Sequence, residues 1–348
     1  MAVSTEQILR SKRKASKAGL YFVNEFDQGY GRRRHGKGFS YIGINGKTLK
    51  SERTRKRIES LVIPPAWGQV WICPKSNGHI QARGRDDADR LQYIYHEAWT
   101  AISTSTKFDR MSLFAEVLPR IRRRVRHDLN SHGLPRKRVL AAVIRLLDKA
   151  SLRVGGLDSM NARGATTLQS DDVDLEGHRI SLDFPGKSGQ RREVEFSDQK
   201  VAQVINNCDE LDGQFLFEYL TADGRSQHVT SSSVNEYLRN IAKAKITAKD
   251  FRTWNGCSVA LASLTQNEDH DCSKVRDASI RKAVKAAAAK LGNTVAICRK
   301  SYIHPNILAA AKSGKLANLL AKVKPLQVRE LSQDDVRLKL LLPLLNSA

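Results

Sequence analysis

The chain has 348 residues, 41% hydrophobic and 27% charged, which is enough for two folded domains with a sizeable core and unlike a disordered polymer. Its 59 Lys and Arg against 36 Asp and Glu leave a formal charge of +23. Such a surplus exceeds what solubility needs and points to a polyanion, because neutralising phosphates releases counterions and gives affinity without sequence readout.

The opening MAVSTEQILRSKRK lacks the apolar stretch of a secretion signal, and no run nears the roughly 20 apolar residues of a membrane span. Cys73, Cys208, Cys257, Cys272 and Cys298 show no CxxC and no paired Cys/His spacing, so neither zinc nor a disulfide framework is expected. A cytoplasmic, metal-free protein with reduced thiols and no membrane contact follows. The charge is clustered: residues 10–37 hold nine Lys/Arg against two acids, and residues 118–145 hold nine against one. Two such belts either line a groove from two sides or form solvated faces.

Residues 1–20 read as a polar, basic lead-in. From about 21 to 95 the pattern is short aromatic and β-branched runs, FSYIGINGK and GQVWICPKSNGHIQARG, punctuated by Gly, Asn and Pro, which predicts a small β-rich domain. Pro64-Pro65 ends the helical stretch SERTRKRIESLV before it. LQYIYHEAWTAIST and VLAAVIRLLDKASLRVGG then carry apolar residues at helical spacing, with Leu140, Val143, Ile144 and Leu147 on one face. DVDLEGHRISLDF and RREVEF flank the turn PGKSGQ and predict a small antiparallel sheet.

Helix starts resembling capping boxes follow at Ser233-x-x-Glu236 and Thr247-x-x-Asp250, and SKVRDASIRKAVKAAAAKL stops at Gly292. The apolar tail RLKLLLPLLNSA is too short for a membrane and is expected to dock on the protein body. The fold class is therefore α+β: a β-rich N-terminal domain over 1–95, and a larger, mainly α-helical catalytic domain over 96–348 containing a small antiparallel sheet.

The motifs argue against nucleotide binding. Gly31 to Lys37 nearly matches a phosphate-binding loop, but Gly38 stands where Ser or Thr is needed, and Gly46-Lys47-Thr48 and Gly186-Lys187-Ser188 lack the first glycine. These read as hairpin turns. A different set is suggestive in order: Arg153, Lys187, Lys249-x-x-Arg252, Asn293 and Tyr302. Cutting a phosphodiester without metal needs charge on the non-bridging oxygens, a nucleophile and a proton for the leaving oxygen. Arginine's planar fork suits the first. Arg252 falls in the first turn of a helix capped at Thr247, where free N–H groups favour an anion, and Arg153 closes an apolar helix before Gly155-Gly156. Lys187 at a hairpin tip can reach a leaving oxygen. A phenol titrating near pH 10 attacks poorly unless neighbours stabilise the phenolate. Each residue alone has a plainer reading as an exposed or helix-capping side chain.

Together the residues resemble the catalytic set of the type IB DNA topoisomerases of the short poxvirus and bacterial kind, over roughly residues 20–310. LRVGG, PGKSG, AKDFRTWNG and LGNTVAICRKSYIHP match the family's blocks in order, and GRDDADRLQYIYHEAW matches its major-groove segment. The resemblance implies that Tyr302 attacks the phosphodiester and holds the 3′ end of the DNA, freeing a 5′-hydroxyl. Arg153 and Arg252 would bind the non-bridging oxygens, Lys187 would act as general acid, and Gln92, Tyr93 and Tyr95 would touch bases and backbone. Asn293 stands where poxvirus and eukaryotic relatives carry histidine, which implies the bacterial branch. Val295 replaces a frequent proline.

The activity implied is relaxation of supercoiled duplex by a monomer clamped around it, with no cofactor, since exchanging one phosphodiester for another is nearly neutral. Two rivals remain. A tyrosine site-specific recombinase would carry histidine at the position of Lys249 and a helical first domain, and a non-catalytic architectural DNA-binding protein would need only the charge.

Overall fold

The computed structural model describes residues 5–36, 38–157, 162–211, 213–266, 272–324 and 326–346. The chain divides into two compact units, Met1–Lys107 and Phe108–Ala348.

The first unit opens with α1 (Thr5–Lys17) and continues β1 (Tyr30–His35), β2 (Gly38–Ile42), α2 (Glu52–Ser60), β3 (Gly68–Ile72), β4 (Ile80–Arg85) and β5 (Leu91–Tyr95). The strands form one antiparallel sheet in the order β2-β1-β3-β4-β5. Ile58, Val70, Ile72 and Ala82 make its small core. Ser51 caps α2 by accepting from Thr54 N at 3.3 Å, and Arg57 ties that helix to the sheet through Gln81 Oε1 and the Cys73 carbonyl.

The basic lead-in carries α1, with Ala15 buried on it and Leu20, just beyond it, buried too. One expectation is corrected here. LQYIY is a strand and the helix starts only at Glu97. Short apolar runs fit either period, and pairing with β4 decides for the strand.

The described elements continue with α3 (Glu97–Leu129), whose residues from Phe108 onward belong to the second unit, and α4 (Arg136–Lys149). The sheet strands β6 (Val173–Glu176), β7 (Arg179–Pro185) and β8 (Arg191–Ser197) pair antiparallel in sequence order. Then come α5 (Gln199–Asp209), the small hairpin β9 (Glu218–Leu220) and β10 (Ser226–His228), α6 (Ser231–Ala242), α7 (Ala248–Thr265), α8 (Ser273–Leu291), α9 (Val295–Ser301), α10 (Pro305–Lys312), α11 (Leu316–Ala321) and α12 (Gln333–Asn346).

The core of this unit is built on α4 and α7. Residues 138–144 and 146–148 of α4 are all buried, so its expected apolar stripe has become a helix enclosed on nearly every side. Phe114 meets Phe251 edge-on at 5.0 Å and lies 5.8 Å from Trp254. Each such side chain contributes about 1.5–3 kcal/mol by leaving water. The C-terminal tail docks as expected, with Leu338, Leu341, Leu342 and Leu345 of α12 buried. No described helix is long and apolar enough to cross a membrane.

Most cations of the second basic belt are bound within the chain, although Arg120, Arg123, Arg124, Arg126, Arg136 and Lys137 are exposed. Arg122 bridges Asp148 and Asp335, Arg124 pairs with Asp128, Arg126 with Glu330, Arg136 with Glu236 and Arg145 with Asp198. Arg138 and Arg120 donate to backbone carbonyls. In the first belt, Arg32 packs over Phe39 and donates to the carbonyls of Ile63, Pro64 and Trp67, while Arg33 and Arg34 are exposed.

Candidate active site

Arg252 is placed by the start of α7. The Asp250 carboxylate accepts from Thr247 N at 2.7 Å and from the Thr247 hydroxyl at 2.9 Å, so Asp does the work usually given to Glu in this box. Arg252 is the fifth residue of α7, just past the first turn, and is 3% exposed. Its guanidinium donates to the Ser151 carbonyl and, at 2.8 Å, to the Leu291 carbonyl. The other expected box is displaced: α6 is capped by Thr230 with Ser233 as its partner, not by Ser233 with Glu236.

Arg153 is not on a helix end. α4 stops at Lys149, Ala150 is its cap, and Ser151 turns the chain in the left-handed region at φ 54°. Asn255, one turn along α7 from Arg252, holds that turn by donating to the Asp148 carbonyl at 2.7 Å and the Ser151 hydroxyl at 2.9 Å. Residues 152–156 then run without regular secondary structure, with Ala165 N donating to Arg153 O and Thr166 N to Val154 O. Gly164 permits this pairing: a Cβ there would stand 2.5 Å from Gly155 N.

Asn293 follows the left-handed exit of α8 at Gly292 (φ 57°). Its Oδ1 accepts a short hydrogen bond from Arg153 Nη2, while its Nδ2 is buried without an acceptor among the described residues. Arg252 Nε likewise lacks an acceptor among the described residues, but so do those of Arg110 and Arg138, so the informative orphan is the Asn293 amide. Thr294 then caps α9 by accepting from Ile297 N, and exposed Val295 is accommodated in its first turn. Tyr302 ends α9, half-buried, with its ring centroid 5.2 Å from the Arg252 guanidinium carbon.

Arg153, Lys187, Arg192 and Arg252 line an open cleft of about 280 Å³, with Leu291 and Gly292, just before Asn293, also in its wall. Lys187 stands exposed in a short helical turn between β7 and β8. The cleft's cations fall into two groups. Arg163 is paired with Asp172 and Arg191 with Asp183. Arg153, Arg192, Arg252 and Lys187 have no ion pair to a carboxylate among the described residues. Burial, together with the charge of Arg153, lowers the pKa of Arg252, and the Tyr302 phenol opposes that shift. Burial and the charges of Arg252 and Arg153 bring Arg192 down to about 10. Concentrated, partly desolvated positive charge of this kind favours an anion.

The structure thus brings Arg153, Arg252, Asn293 and Tyr302 together and sets Lys187 on the rim of the same cleft. Lys249 is exposed on the first turn of α7. Arg192 and Gly256 were missed by sequence reasoning. The available signal for Arg192 was strand alternation, which puts it on the inward face of β8 with Val194 and Phe196. In the first unit, Tyr93 and Tyr95 stack at 5.8 Å on the outer face of β5 and are 40% and 43% exposed. Gln92 faces the other way and donates to Asp86 at 2.9 Å, so it does not join that pair.

Residues 97–328, about two thirds of the chain, match the family described as eukaryotic DNA topoisomerase I, catalytic core. Residues 38–86 match the bacterial DNA topoisomerase IB N-terminal domain. A DNA topoisomerase 1B of Acanthamoeba polyphaga mimivirus is 29% identical over 289 residues, covering 79% of this chain and 85% of that protein.

Proposed function

Starting from the chain's membership of the type IB DNA topoisomerases, we propose that it relaxes supercoiled duplex through a phosphotyrosyl bond made by Tyr302. The observation that supports the site assignment is that Arg153, which bonds Asn293, and Arg252, which lies over the Tyr302 ring, line one cleft and lack carboxylate partners among the described residues.

The Tyr302 oxygen attacks the phosphorus and the bond to the 5′ oxygen breaks. The phenolic proton passes to solvent, and Lys187 donates its proton to the leaving 5′ oxygen, recovering one from solvent. Arg153 and Arg252 hold the non-bridging oxygens, where planar donors stabilise the charge that develops in the transition state. The Asn293 amide, already fixed through Oδ1, supplies a neutral donor to the same phosphate. The free 5′ end rotates as supercoil strain is released, and its hydroxyl then attacks the phosphotyrosine. One ester replaces another in each direction, so no nucleotide is consumed.

Tyr93 and Tyr95 present a stacked aromatic surface for DNA, and Gln92 serves to order the loop through Asp86. The protein acts on DNA as a monomeric clamp in the cytoplasm. Relaxation of plasmid without ATP, together with a covalent adduct mapped by peptide sequencing to Tyr302 and lost in Tyr302→Phe, tests the proposal. An adduct at another residue, or relaxation by Tyr302→Phe, would overturn it.

A further inference from the structure

Arg191 and Arg192 are neighbours in β8, yet they meet opposite fates. Arg191 points outward and is neutralised by Asp183 at 2.6 Å. Arg192 points inward on the strand's packed face and has no carboxylate partner. Its guanidinium instead donates to Ala289 O at 3.1 Å, Lys290 O at 2.6 Å and Ala150 O at 3.4 Å. The first two are carbonyls of the last turn of α8, and the third belongs to the residue that ends α4. Such carbonyls are left over at helix ends, and a cation is favoured there. The side chain also lies close over Gly292, where an added Cβ would stand 2.9 Å from Arg192 Cδ.

Each of the joined segments carries part of the site. From the end of α8 the chain runs through Gly292 to Asn293. From the end of α4 it runs through Ser151, the acceptor for Arg252, to Arg153. Arg192 itself stands opposite Phe184 at the base of the hairpin whose tip bears Lys187, with Gly186 N closing that tip on Gln190 O at 2.7 Å. The positive charges of Arg252 and Arg153 work against Arg192. An arginine held in that company by carbonyls is acting as a fastener rather than as a surface cation.

We propose that Arg192 is a positioning residue: it pins the β7–β8 hairpin to the ends of α4 and α8, so that Lys187 is held where it delivers its proton to the leaving 5′ oxygen. The inference rests on the general-acid reading of Lys187, and the test separates the two.

The test is single-turnover cleavage of a duplex by the full chain, with either oxygen or sulfur bridging phosphorus to the 5′ carbon at the cut. A thiol titrates far below an alcohol and leaves without a proton. With oxygen, Lys187→Ala and Arg192→Ala are both expected to lose about 10²-fold in rate, the scale of general-acid catalysis. With sulfur, both should return to near the wild-type rate, whereas Arg153→Ala, which acts on the non-bridging oxygens, should stay slow.

Arg192→Lys keeps the charge but cannot reach two helix ends with one planar group. It should show the same sulfur-restored loss, which neither a purely electrostatic role nor a folding defect would produce. If Lys187→Ala is restored by sulfur and both Arg192 variants are not, Arg192 acts on the phosphate or on the fold and the inference fails alone. If Lys187→Ala is not restored, the general-acid reading fails and takes the inference with it. Undiminished cleavage of the oxygen substrate by Arg192→Ala also overturns it.

Discussion

Gly256 on α7 is the floor on which Tyr302 rests: a Cβ added there would stand 2.8 Å from the Tyr302 carbonyl oxygen and 3.2 Å from the Tyr302 Cβ. Alanine would improve helix propensity by about 1 kcal/mol, but the first contact is with backbone and cannot be relieved by turning a side chain. We expect Gly256→Ala to fold with a modestly lower melting temperature, since overpacking typically costs about 1–3 kcal/mol. Its rate of covalent adduct formation should fall further, by about 10²-fold, because a displacement near 1 Å disrupts an aligned attack. A wild-type rate in single-turnover assays would show that Tyr302 does not need this seat.

Arg252 spends two bonds on the Ser151 and Leu291 carbonyls, just after α4 and at the end of α8. Lysine retains the charge but has a single nitrogen to share between them. Arg252→Lys is expected to lower the cleavage rate by about 10²-fold, the usual loss for one transition-state donor. Stability should fall by about 1–3 kcal/mol for a carbonyl left without a partner. Adduct kinetics and thermal melts on the same preparation check both numbers.

His304 is buried beside Phe108, and burial brings its pKa down to about 4, with Asp109 opposing. Its Nδ1 accepts from Asn306 N at 3.1 Å at the start of α10, a bond only the neutral ring can make. The unfolded chain takes up a proton near pH 6.5, whereas the folded one resists until about pH 4. The stabilisation is therefore fully present above about pH 6.5, declines as pH falls, and is lost by about pH 4. The decline amounts to something on the order of 3 kcal/mol. Urea titrations between these pH values should show the slope, and His304→Asn should flatten it while retaining a cap.

Asp335 holds α12 to the core. It accepts from Arg122 at 2.7 Å, from the Trp254 indole at 2.6 Å and from Ser332 N at 3.0 Å. Burial pushes its pKa up, but Arg122 and these donors outweigh that and hold it below the usual carboxylate range. Its contribution is thus present above the unfolded carboxyl's pKa, near 4, and is lost as pH falls through the lower folded value. Asp335→Ala leaves a buried cation half-paired and an indole N–H unpaired, so a loss of about 3–5 kcal/mol is expected. Thermal melts measure the loss, and earlier protease cleavage ahead of α12 would locate it.

Local signals were legible in the sequence because each is settled within a few residues. Thr247 with Asp250 started α7, Gly292 ended α8, and PGKSGQ made a turn between two strands, all through bonds reaching three or four positions along the chain. The resemblance of their motifs, in order, to those of a known family named Arg153, Lys187, Arg252, Asn293 and Tyr302 as a group. Only the tertiary structure decided which arginines are available to an anion. Arg153 meets Asn293 across 140 positions and Arg252 meets Ser151 across 101. Arg122 and Arg145, no different by type, are consumed by Asp148, Asp335 and Asp198. The same holds for LQYIY, whose short apolar run fits two periods until β4 pairs with it, and for Arg192, which differs from Arg191 only in the face of β8 it occupies. Whether a charge binds substrate or fastens the fold depends on which distant carboxylate or carbonyl packs against it, and no local pattern in the chain records that neighbour.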